Sequence, residues 1–198
     1  PQEVDPSMPR RDHLRRLLEA HVSADGRERE HKSRILRLLE TTEQPFSRTQ
    51  YVPGHVTASA FVLDPTRREL LLILHAKLQL WLQPGGHIDQ GDANILEGVR
   101  RELLEEVGIA ELALHGAGLF DLDVHAIPAR ADQPGHEHFD VRFLFTAPSR
   151  AFQAGSDARA ARWVPIAELL ARANATHSPY PSDDSVMRAV RKLEQVLA

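Results

Sequence analysis

Three glutamates are spaced so that they could hold a metal ion. Glu102, Glu105 and Glu106 stand at positions i, i+3 and i+4, so on a helix their carboxylates share one face. Like charges on such a face repel by roughly a few tenths of a kcal/mol per pair, and a multivalent cation reverses that repulsion. Oxygen ligands select hard ions, so the pattern predicts a site for Mg²⁺ or Mn²⁺. A solvated helix face is the alternative, and for an isolated acidic run it is the more common one.

The flanking residues favour the metal site, because they mark a helix with defined ends. Asn94 precedes Glu97 by three residues, which is the spacing of a capping box, and Asp92 is a second candidate N-cap. Gly108 stands where a helix needs a left-handed residue to end. Gly85–Gly86 would let the backbone approach a ligand closely.

The segment from Gly86 to Ile109 resembles the Nudix box of the Nudix hydrolases. That box runs Gly, five residues, Glu, seven residues, Arg-Glu, an aliphatic residue, any residue, Glu-Glu, any residue, Gly and an aliphatic residue. Gly86 matches the opening glycine, and Arg101 to Ile109 match the second half. Asp92 replaces the first glutamate, and eight residues rather than seven separate it from Arg101. We place the extra residue in the turn before the helix, where insertions are tolerated.

This resemblance covers about residues 50–170. It implies the α/β fold of the family, an α/β/α sandwich with a mixed sheet, and hydrolysis of a diphosphate linked to another moiety. Residues 1–45 lie outside it and are predicted to form an N-terminal helical hairpin, which leaves 46–198 as the hydrolase domain. The implied partner is a small-molecule diphosphate, such as a nucleoside-diphosphate-linked compound. The hairpin could cover the core, support a homodimer or shape the substrate entrance.

The resemblance also implies roles for the residues of the box. Glu102, Glu105 and Glu106 would bind one or more Mg²⁺ or Mn²⁺ ions, and a backbone carbonyl at Gly85 or Gly86 would complete the shell. Glu105 is the first choice for the general base, and Glu102 is assigned with it to catalysis. The remaining box positions are expected to be structural: Gly86, Asp92, Arg101 and Gly108.

A second constellation lies in the run from His136 to Arg142. If this run is a strand, then His136, His138, Asp140 and Arg142 share one face and the phenylalanines face the other way. Such a face could bind phosphate, supply a base or hold a transition metal through two histidines and a carboxylate. A hydrogen-bonded polar face is an equally weighted alternative. Asp140 or His138 is the candidate base outside the box.

Other histidines and the arginine of that strand complete the hypothesis. His136 and Arg142 are candidates for substrate contact, together with His87, which directly follows the Gly-Gly pair. His55 and His75 fall in predicted strands, and we expect both of them to be structural.

Composition excludes several classes of protein. A net charge of −4 gives no general attraction to nucleic acid, and the absence of cysteine excludes disulfides, thiolate metal sites and cysteine nucleophiles. No apolar run approaches the roughly 18–20 residues of a membrane span, and no signal peptide is visible, so a cytoplasmic enzyme is expected. Isomerases of the same fold that act on prenyl diphosphates rely on a cysteine, which disfavours that alternative. A non-catalytic ligand-sensing domain would be expected to lose box carboxylates, and all three are present.

Periodicity and turn residues place the elements that must position these groups. Helices are predicted near 9–22, 27–42, 94–107 and 184–197, and strands near 55–64, 69–75, 80–83, 111–124 and 138–146. A polar loop is predicted over 127–135.

Overall fold

The computed structural model describes residues 9–76, 78–116, 118–153, 158–171 and 179–197. The helices are α1 (Arg10–Ala20), α2 (Gly26–Thr41), α3 (Ile95–Val107), α4 (Ile166–Ala171) and α5 (Asp184–Leu197). The strands are β1 (Gly54–Leu63), β2 (Glu69–His75), β3 (Trp81–Leu82), β4 (Gly85–His87), β5 (Ala113–Leu114), β6 (Asp121–Ile127), β7 (His136–Thr146) and β8 (Ala158–Pro165). None of the described helices is long and apolar enough to cross a membrane.

The strands form one mixed sheet, as predicted. Its order is β3-β2-β1-β7-β5, while β4 pairs with β1, β6 with β7 and β8 with β2. The β4, β6 and β8 pairings are antiparallel. Between β1 and β7, by contrast, the Glu137 N–H donates to the Pro53 carbonyl and the Ala147 N–H donates to the Leu63 carbonyl. The residue numbers of the bonded positions therefore increase in the same direction along both strands. These two strands therefore run parallel.

The chain forms two compact units, each assembled from separate segments. Unit 1 contains the described residues up to Ser59, then Gly85–Arg101 and the described part of Gly116–Phe143. Unit 2 contains the described residues of Ala60–Pro84, Glu102–His115 and 144–198. In unit 2, β2 lies between β3 and β8, and Leu70, Leu71 and Leu72 are fully buried.

The N-terminal hairpin belongs to unit 1, where α2 packs on β6. Leu14, Ile35 and Leu39 are fully buried, so apolar burial holds the two helices in place. Two histidines add polar anchors: the His31 ring nitrogen lies 3.2 Å from the Leu122 carbonyl oxygen, and His21 lies 3.0 Å from that of Leu119. The hairpin thus shares its unit with β6 and β7.

The predicted elements are confirmed with one correction. A single strand over 111–124 is wrong, because the segment forms the short strand β5 and then β6, which begins only at Asp121. Between them lies Gly116 at φ +80°, a left-handed conformation that interrupts a strand. The predicted loop over 127–135 is confirmed in position, with β6 ending at Ile127 and β7 beginning at His136.

Candidate functional site

Local sequence sets both ends of α3, the helix that carries the three glutamates. The Asn94 side-chain oxygen accepts a hydrogen bond from the Glu97 N–H at 3.0 Å, and the Glu97 carboxylate accepts one from the Ala93 N–H at 3.3 Å. At the other end Gly108 has φ +66°, and its N–H donates to the Leu104 carbonyl at 3.1 Å. Both predicted caps are therefore present.

The faces of α3 are sharply divided. Ile95, Val99, Leu103 and Val107 are fully buried. Glu102 and Glu106 are partly exposed, and Glu105 is exposed. The regular helix confirms that the three carboxylates share one face, and each of them takes part in further interactions. This carboxylate set has the oxygen chemistry that a hard divalent cation requires.

Arg101 links the first half of α3 to the segment before it. Its guanidinium donates to both carboxylate oxygens of Asp92, at 3.0 Å each, and to the His87 carbonyl at 2.8 Å. Asp92 also accepts the Asp89 N–H at 2.7 Å. Burial by itself would raise the pKa of Asp92, but the hydrogen bonds from Arg101 and Asp89 lower it below its ordinary value. Asp92 thus contacts Arg101 although its side chain is shorter than that of glutamate and the box contains an extra residue.

Two glycines are required by packing. A Cβ on Gly98 would lie 2.7 Å from Ile88 Cδ1 and 2.9 Å from a carboxylate oxygen of Asp92. A Cβ on Gly85 would lie 2.4 Å from the Ser59 Cα atom of the neighbouring strand β1. Close approach of β4 to β1 therefore explains Gly85 without any ligand.

Three histidines converge within unit 1. His55 lies on β1, His87 on β4 opposite Thr57, and His138 on β7. Their ring centroids are 4.9–5.3 Å apart, and one nitrogen from each ring can be chosen so that all three lie within 4.8 Å of one another. Our prediction that His55 is merely structural missed this contact. The alternation of His55, Thr57 and Ser59 along β1 was the signal that could have revealed it.

Burial favours the neutral form of all three imidazoles. Burial first, and then neighbouring positive charge, lowers the pKa of His87 to about 4 and that of His138 to about 2. The pKa of His55 is lowered as well, again mainly by burial. A general base works best with a pKa near the working pH, so His138 is poorly suited to that role.

Asp140 and Arg142 belong to a buried ionic network, which corrects our assignment of both. Asp140 accepts hydrogen bonds from Thr57 at 3.1 Å, Ser59 at 2.7 Å and Arg142 at 2.8 Å. Since its oxygens are occupied and it is 4% exposed, we withdraw Asp140 as a base. Arg142 is 2% exposed, which leaves no surface for contact with a substrate.

The Arg142 guanidinium is surrounded by carboxylates. Besides Asp140, it donates to Asp121 at 3.1 Å and lies 3.4 Å from an oxygen of Asp123. Burial by itself would lower the pKa of Arg142, but the three carboxylates raise it. The guanidinium is consequently a permanent structural charge.

His136 and His125 flank the three histidines. The His136 ring is stacked 5.1 Å from the ring of His55, and its Nδ1 lies 3.0 Å from the Pro134 carbonyl oxygen. His136 is buried, so its ring has no exposed edge that a substrate could contact. This burial argues against its predicted role in substrate contact. His125 Nδ1 lies 3.0 Å from Asp123; burial would lower the pKa of His125, yet this hydrogen bond and nearby carboxylates raise it.

Comparison with known proteins identifies the class. The sequence model of the NUDIX domain matches residues 53–183, so the chain belongs to the Nudix family. It is a pyrophosphohydrolase, an enzyme that acts on acid anhydrides. No curated protein sequence matches it.

Solved structures share the fold at low sequence identity. A NUDIX-family hydrolase from Clostridium perfringens is 24% identical, with a TM-score of 0.52 over 72% of this chain and 97% of that chain. A C. elegans Ap4A hydrolase is 18% identical, with a TM-score of 0.50 over 72% and 96% of the respective chains. The E. coli dihydroneopterin triphosphate pyrophosphohydrolase is 14% identical, with a TM-score of 0.51 over 69% and 92%. Identities this low show a common fold and leave the substrate open.

Proposed function

We propose that this enzyme hydrolyses a phosphoanhydride bond in a nucleoside-diphosphate-linked or related small molecule, with Mg²⁺ or Mn²⁺ as its cofactor. The observation that carries the proposal is the carboxylate face of α3, formed by Glu102, Glu105 and Glu106 on a helix capped at both ends. Three oxygen ligands at this spacing suit a hard cation. The cation would supply charge neutralisation at the phosphate oxygens and a lower pKa for a bound water.

The remaining chemistry is assigned to side chains of this chain. Glu105 is exposed and is our first choice to accept the proton of the attacking water, whereas Asp140 and His138 are not suited to that step. Arg101 holds the start of α3 in place through its hydrogen bonds to Asp92 and to the His87 carbonyl. The helix that carries the glutamates is therefore anchored before a substrate binds. His87 is partly exposed and is retained as a candidate for substrate contact.

Chromatographic analysis of the phosphorylated products formed from a panel of nucleotides and nucleotide conjugates tests this proposal. Activity should require Mg²⁺ or Mn²⁺, and Glu105→Gln or Glu106→Gln should lower kcat by at least ~100-fold, since a general base contributes about 10²- to 10⁴-fold. Glu111→Gln, an exposed carboxylate beyond the helix, is the matched control and should leave kcat unchanged. Full activity in the Glu105→Gln/Glu106→Gln double variant would show that the chemistry lies elsewhere.

We also propose a homodimer and an accessory role for residues 1–45. Light scattering on the full chain tests the first, and the substrate preference of a chain without residues 1–44 tests the second.

A further inference from the structure

The proposed hydrolysis assigns no role to His55 or His138 and only a substrate contact to His87, so it does not account for the convergence of the three histidines. They come from three strands of unit 1, so paired backbone segments fix their positions rather than one flexible loop. No carboxylate belongs to the group, whose chosen nitrogens all lie within 4.8 Å of one another. Imidazole ligands suit zinc, copper, iron or nickel, whereas carboxylates and water suit magnesium and manganese. This donor set therefore differs in kind from the glutamates of α3.

His55 provides a second, independent observation. It is fully buried, and its Nδ1 lies 3.0 Å from the Gln50 carbonyl oxygen. Because a carbonyl only accepts hydrogen bonds, Nδ1 carries the proton and Nε2 carries the lone pair. Among the residues that the structure describes, that buried Nε2 has no hydrogen-bond partner. A buried acceptor without a partner is costly, and a histidine whose other nitrogen donates to a backbone carbonyl is typical of a metal ligand.

We propose that His55, His87 and His138 bind a divalent transition metal ion of the Zn²⁺ class through their imidazole nitrogens. With Zn–N bonds of about 2.0–2.1 Å, tetrahedral nitrogens lie about 3.4 Å apart. Side-chain rotations that shorten the nitrogen separations, from up to 4.8 Å by at most about 1.4 Å, therefore complete the site. Three protein ligands leave a coordination position open to water or to an oxygen of a small ligand. The ion is distinct from the hard cation of the proposed hydrolysis.

Metal titrations with protein that carries no polyhistidine tag test the proposal. The starting protein is the Glu105→Gln/Glu106→Gln variant, so that the α3 carboxylates contribute little. Calorimetry with Zn²⁺ should show one equivalent bound, and Co²⁺ should give the visible absorption bands of a low-coordinate nitrogen site. Adding His138→Gln or His87→Gln should weaken Zn²⁺ binding at least 10-fold. His115→Gln is the matched control and should bind like its parent, because His115 lies outside unit 1.

The possible outcomes separate this site from the hydrolytic one. Absence of Co²⁺ bands and of Zn²⁺ binding in the folded parent would overturn the proposal, as would Zn²⁺ binding by both histidine variants that is as tight as the parent's. Should one histidine variant fail to fold, the other variant and the Co²⁺ spectrum of the parent decide. Hydrolysis that depends on Mg²⁺ in the wild type can succeed or fail independently, since it is measured on a different set of ligands.

Discussion

Replacing Arg142 with methionine should destabilise the protein severely. The guanidinium contacts Asp121, Asp123 and Asp140, and the side chains of these aspartates are 0%, 1% and 5% exposed. Methionine fills similar space but supplies no charge and no hydrogen-bond donor. The substitution therefore leaves three carboxylates out of contact with water and without their shared cation.

The expected magnitude follows from the cost of an uncompensated buried charge. Removing one partner of a buried ion pair costs about 3–5 kcal/mol, and here one cation serves three anions, so we expect at least the lower value. The total free energy of unfolding of such proteins is about 5–15 kcal/mol. With a urea dependence of about 1–3 kcal/mol per M, the midpoint should fall by about 1 M or more.

Urea unfolding followed by circular dichroism measures this change. Arg48→Met is the matched control, because Arg48 also pairs with a carboxylate, that of Asp89 at 2.8 Å, but the two side chains are 56% and 46% exposed. An exposed pair contributes about 0–1 kcal/mol, so the control should unfold close to the wild type. A loss below about 1 kcal/mol for Arg142→Met would refute the idea that the network is desolvated.

Three further predictions concern the supports of the site. Gly98→Ala should destabilise the protein in thermal unfolding, because the new Cβ meets Ile88 and Asp92; this clash should outweigh the ~1 kcal/mol that alanine gains over glycine in a helix. The control Gly91→Ala should be nearly neutral, since a Cβ there has nothing within 4 Å. A Gly98→Ala variant more stable than the wild type would contradict this packing. The folded-state pKa of Asp92 is lowered, so its ionised side chain stabilises the protein above the unfolded value near 3.9, and this effect is lost as the pH falls through the folded value. The difference in free energy of unfolding between the wild type and Asp92→Asn should therefore shrink on acidification. A difference that does not depend on pH would argue against the contact with Arg101. Deleting residues 1–44 should destabilise unit 1, because α2 packs on β6; a truncated chain with an unchanged unfolding midpoint would instead support an independent domain from residue 46.

The sequence alone determined α3 and its glutamates, because every interaction that defines them is local. The cap at Asn94, the left-handed Gly108 and the common face of Glu102, Glu105 and Glu106 depend on residues within about one helical turn. The fold class could also be predicted, since the box is a long and specific match. The split of 111–124 into two strands could not, because short strands depend on their pairing partners more than on their own composition.

Only the tertiary structure decided what lies around β7. Alternation correctly put His138, Asp140 and Arg142 on one face, but a period of two does not tell what covers that face. Strand pairing brings β1 and β6 beside this strand and β4 beside β1, and these strands supply His55, His87, Asp121 and Asp123. These partners are distant in the chain, so the converging histidines and the buried ionic network exist only once the strands have paired.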